Sequence, residues 1–74
     1  MRTTTGRIAA FDQHAGFGTV RMDDGTELFF HCTAIVDGSR MIEVGTLVAF
    51  ERVPGHHGRW EASGIRPLPG GGRI

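Results

Sequence analysis

The stretch AGFGTVRMDDGTELFFHC, residues 15–32, places three phenylalanines and a histidine in eighteen positions around an Asp-Gly pair. Asp24-Gly25 tolerates the positive φ of a hairpin turn, so the flanking runs 17–22 and 27–32 are expected to be antiparallel neighbours. Successive strand side chains point to opposite faces, so Leu28 and Phe30 share one face while Phe29 and His31 share the other. Both faces cannot be core, and the face carrying the histidine is the better one for solvent. Phe30 is therefore expected inside and Phe29 outside. In the partner run, Phe17 and Thr19 oppose Gly16 and Gly18, whose missing side chains let another backbone pass close. Phe17 and Phe29 then become neighbours on one exposed surface. The competing reading is that a strand bulge breaks the alternation and returns the rings to the core.

The rest of the chain supplies more short strands. Twelve glycines and three prolines interrupt it, and no long window shows a helical period. Runs 6–12, 47–53 and 60–66 read as strands and bring the total to five. The expected fold class is all-β, a five-stranded antiparallel barrel, for which the oligonucleotide-binding (OB) barrel is one known solution. Residues 33–45, with Asp37-Gly38-Ser39 and a short helical turn over 33–36, are expected to cross one end of it. Residues 54–59, PGHHGR, read as an exposed loop; the domain is expected over 1–67 and a flexible tail over 68–74.

Composition restricts the function. Seventy-four residues form one domain with one small core. A single cysteine, Cys32, excludes an internal disulfide and a cysteine-pair zinc site, and fits a reducing compartment. No run is apolar for long enough to cross a bilayer, and MRTTTGR lacks the apolar segment of a secretory signal. A soluble cytoplasmic monomer without a membrane contact is the expectation. Eight basic and eight acidic residues cancel, so the long-range field of a strong polyanion binder is missing. All eight basic residues are arginine, which stacks on bases and forks onto phosphates, although a GC-rich genome produces the same bias.

Exposed rings on an open sheet form an apolar patch of the kind that marks a binding site, and flat rings suit stacking on unpaired bases. With that in view, TGRIAAFDQHAGFGTV, ELFFHCTAI and VGTLVAFERV together resemble the bacterial cold-shock domain, in order and spacing, from Thr5 to about Pro67. The resemblance implies an OB-fold that binds single-stranded RNA or DNA through two ribonucleoprotein motifs on adjacent strands, here residues 15–20 and 28–32. It matches the family's stacking phenylalanines to Phe17 and Phe29, its base-contacting histidine to His31 and the aromatic of its first strand to Phe11. Three family rings are absent, their positions holding Ala10, Thr19 and Cys32, while Ala9 and Ala15 stand where the family has basic residues. The implied role is that of an RNA chaperone or a modulator of gene expression, with weaker binding than a full set of rings would give.

Trp60 has no family counterpart and is expected at the same surface, since it is opposite in strand parity to Ile65, here assigned to the core. The alternative is a ring closing the barrel end. Arg7, Arg21 and Arg59 are the arginines expected to border the ringed face, with a plain solubility role as the alternative. His31 and Cys32 cannot easily form a catalytic pair, because adjacent strand residues project to opposite faces. His14 reads as solvated. His56 and His57 in their glycine loop carry little weight as metal ligands, and Asp23 and Asp24 read as turn residues. No catalytic residue, cofactor or metal is expected. A rival reading, suited to the depleted ring set and zero net charge, is a protein-interaction module with a protein partner on the same apolar patch.

Overall fold

A computed structural model describes residues 3–36, 41–55 and 58–68. It contains strands β1 (Thr4–Asp12), β2 (Phe17–Met22), β3 (Glu27–His31), β4 (Leu47–Pro54) and β5 (Trp60–Pro67), with a 3-10 turn at Cys32–Ala34. The strands close into a barrel in the order β1-β2-β3-β5-β4, with β4 returning to β1. Four of the ladders are antiparallel, but β3 and β5 meet in parallel at Phe29 and Glu61. A parallel bridge between Ile35 and Ile65 extends that seam.

The β2–β3 hairpin forms at the Asp-Gly pair, through a three-residue loop. Gly25 N–H donates to the Met22 carbonyl at 2.9 Å, and Met22 and Thr26 close the ladder at 2.8 Å. Gly25 takes a φ of 91°, the left-handed residue that follows a type I turn in such loops. The Asp24 carboxylate accepts the Thr26 N–H at 2.9 Å, and this bond holds its carboxyl below the usual range.

The core consists of Ile8, Val20, Leu28, Phe30, Ile35, Val48, Ala49, Phe50, Ala62 and Ile65, all nearly inaccessible to water. They arrive by alternation. The inward rows of the first three strands are Ile8–Val20–Leu28 and Phe11–Gly18–Phe30. Gly18 is required there, because a Cβ would collide with the Ala10 carbonyl and crowd Phe11. Leu68 still donates to the Leu47 carbonyl at 3.0 Å. The remainder of the expected tail, residues 69–74, lies outside the described residues, as do Asp37, Gly38, Ser39, His56 and His57.

Candidate nucleic-acid interface

The outward residues of β1, β2 and β3 form three cross-strand rows: Arg7–Arg21–Glu27, then Ala10–Thr19–Phe29, then Asp12–Phe17–His31. The last two rows bring the predicted rings together. Phe17 is 42% exposed, and its ring lies 5.3 Å from Phe29 at a tilt of 36°. Phe29 is half-buried and meets the exposed His31 edge-on, at 5.0 Å and 90°. These separations lie within the range of favourable aromatic pairs, so each ring steadies the next while leaving area open to solvent. The exposed surface expected from alternation is therefore present at Phe17, Phe29 and His31.

Phe11 stands apart from them. A register shift between Ile8 and Ala10 inserts Ala9 as an extra residue, which leaves Ala10 exposed and turns Phe11 to the inward row opposite Gly18. Its half-buried ring stacks parallel on Phe30 at 5.8 Å and packs against the core. This bulge lies on β1, and the β2–β3 pairing runs without one.

Strand parity does not account for the position of Trp60. The β4–β5 ladder slips between Ala49 and Glu51, beside Gly64 at a φ of 62°, so parity cannot be carried from Ile65 back to Trp60. Trp60 has the parity of buried Ala62, yet it is 55% exposed because it begins the strand, paired with Pro54 at the end of the ladder. It borders a groove with Thr19, Phe29 and Arg59, and the Arg52 guanidinium lies 5.9 Å from its ring centroid.

Arg7 is exposed in the outermost of the three rows and donates to the Gly45 carbonyl at 2.9 Å. Arg21 donates through Nε and Nη2 to one Glu27 oxygen, at 3.0 and 2.7 Å. Arg66 pairs with Glu51 at 2.9 Å away from the rings; its hydrogen bond holds the Glu51 carboxyl low and pushes the Arg66 guanidinium up. Cys32 is half-buried, its N–H donating to the Gly16 carbonyl at 2.8 Å, and His14 is exposed. Among the described residues, no group of three acidic, histidine or cysteine side chains is gathered for a metal, and no helix is long and apolar enough to cross a membrane.

A closed five-stranded barrel with strand order β1-β2-β3-β5-β4, carrying two rings and a histidine on the outer face of one hairpin, is an OB-fold. Residues 4–68 match the 'Cold-shock' DNA-binding domain, and the chain belongs to this family, whose members are nucleic-acid-binding proteins rather than enzymes. It is 39% identical over 54 residues to cold shock protein CspD of Bacillus subtilis (strain 168), covering 72% of this chain and 82% of that protein. It is 37% identical over 73 residues to cold shock protein 1 of Arabidopsis thaliana, covering 96% of this chain and 24% of that protein. Among solved structures, drosophila Unr CSD456 superposes with a TM-score of 0.78 at 31% identity, over 99% of this chain and 29% of that one. The relatives are thus not confined to bacteria, and the chain spans a minor part of the plant and insect chains but most of the bacterial one.

Proposed function

We propose that this chain binds single-stranded RNA or DNA by stacking bases on Phe17, Phe29 and His31, with little sequence preference. The observation that carries this reading is the continuous series of those three rings, at 5.3 and 5.0 Å, on the outer face of one hairpin. A base that has left a duplex exposes an apolar face, and stacking on a fixed ring returns that face to an apolar contact. The rings hold the strand open without consuming nucleotide, which suits an RNA chaperone or a modulator of gene expression in the cytoplasm. Arg59 lies in the groove beside Phe29 and contacts a backbone phosphate, Arg7 stands a row away from the rings and serves at most the margin of the site, and Phe11 mainly supports Phe30. The domain over 1–67 acts as a monomer with no cofactor.

Binding is weaker than a full platform would give. Ala10 and Thr19 stand beside Phe29 in the central row, and Cys32 follows His31. Three lost stacks at about 1 kcal/mol each lower affinity by about a hundredfold. The equal number of acidic and basic residues, with Arg21 and Arg66 committed to carboxylates, favours a second reading in which the patch docks a protein. Titration of a fluorescein-labelled oligo(dT) at low and at physiological salt separates the two. Measurable binding that weakens as salt rises is expected, because phosphate contacts release counterions. Absence of binding at low salt would leave the protein-docking reading in its place.

A further inference from the structure

We propose that Trp60 supplies a further base-stacking position, so that a strand seated on Phe17, Phe29 and His31 continues across the β3–β5 seam rather than onto β1. This rests on the single-strand-binding reading above and adds the path of the strand.

Phe29 has two sides. Toward β1 its row continues through Thr19 to Ala10, which offer a hydroxyl and a methyl group and no ring. Toward β5 its partner is Glu61, and the next residue is Trp60. Trp60 and Phe29 line one groove, with Thr19 on the same wall. An indole left 55% exposed in so small a domain contributes little to the interior, so its apolar area is available to a ligand. The Arg52 guanidinium at 5.9 Å covers part of the ring and helps fix its orientation, which lowers the entropy lost on stacking.

The polar groups of the groove select a base over a phosphate. Glu27 contributes a carboxylate to the wall, and Arg21 already neutralises it at 2.7 Å. With Arg21 engaged by that carboxylate, this wall offers, among the described residues, no uncommitted cation to a phosphate, whereas a neutral planar base needs none. Arg59, exposed at the rim, is placed for the phosphate that follows the base. The occupant that fits is the next base of the strand already stacked on Phe29.

Trp60 is the only tryptophan, so its emission reports this position alone. Titrating the full chain with labelled hexathymidylate should quench Trp60 fluorescence with the same midpoint as the anisotropy of the strand. Trp60→Ala should weaken binding about tenfold, and Trp60→Phe should recover most of it. Neither variant should move the thermal midpoint appreciably. If the strand binds and Phe29→Ala weakens it, but Trp60 emission stays constant and Trp60→Ala binds like the parent, the path across the seam is wrong and the proposed function stands. A Trp60→Ala variant that melts early but binds normally would also overturn the inference, making the indole structural. Failure of hexathymidylate to bind at all would overturn both.

Discussion

Phe30 is fully buried and stacks on Phe11, whereas Phe29, its neighbour in the chain, lies half-buried on the outer face between Phe17 and His31. The two residues have the same side chain and the same strand. They differ only in which side of the pleat they occupy, and that places one in the barrel and the other on its surface. Inner and outer faces of the same hairpin therefore carry separate tasks. The inner rows, Val20–Leu28 and Gly18–Phe30, close the core; the outer rows, Thr19–Phe29 and Phe17–His31, form the surface available to a strand. Stability and binding should respond to different substitutions, even at adjacent positions.

The largest effect is expected from the inner face. Phe30→Ala removes a ring with no exposure to water and opens a cavity against Ile8, Phe50 and their neighbours. The expected cost is about 3–5 kcal/mol, read from thermal or urea unfolding, and in a domain this small that is most of the stability. A variant that melts like the parent would show that the two faces are not divided as described.

A smaller effect should come from restoring a ring to the outer face. Thr19 lies between Ala10 and Phe29 in the central row, half-buried on the outward side. Thr19→Phe should tighten oligo(dT) binding by about 1 kcal/mol, measured by anisotropy, with little change in the melting curve. No gain would mean that the central row lies off the path of the strand.

Much of this division was legible in the sequence because it depends on local signals. Asp24-Gly25 located the hairpin, and the period of two around Leu28–His31 assigned Phe29 and Phe30 to opposite faces. The limits of β2 agree with those read from the sequence; β1 begins earlier, at Thr4, because Thr4 and Thr5 pair with Phe50 and Ala49, partners forty-four or more positions away that leave no local trace. β3 ends at His31 because Cys32 begins the 3-10 turn.

The features that escaped are long-range or irregular. The parallel meeting of β3 and β5 depends on Glu61 reaching Phe29 across the barrel. The extra residue at Ala9 and the slip beside Gly64 each reverse the alternation within a strand; Gly64, a glycine inside a strand, is the signal that could have revealed the second, whereas Ala9 gives none for the first. Phe11, which the family resemblance counts among the site aromatics, is turned by the first of these to stack on Phe30 with part of its ring still open to solvent. Parity alone would expose Trp60 only if the strand were regular; its exposure follows instead from its place at the start of β5.

The most direct measurement takes Phe17→Ala and determines, on one preparation, its thermal midpoint and its affinity for oligo(dT). Phe17 is 42% exposed and touches Phe29 on the outer face. The midpoint should stay close to that of the parent while binding weakens by about 1–3 kcal/mol. A midpoint that falls steeply while the affinity of the remaining folded protein is unchanged would contradict the account, because the ring would then be serving the barrel and not the strand.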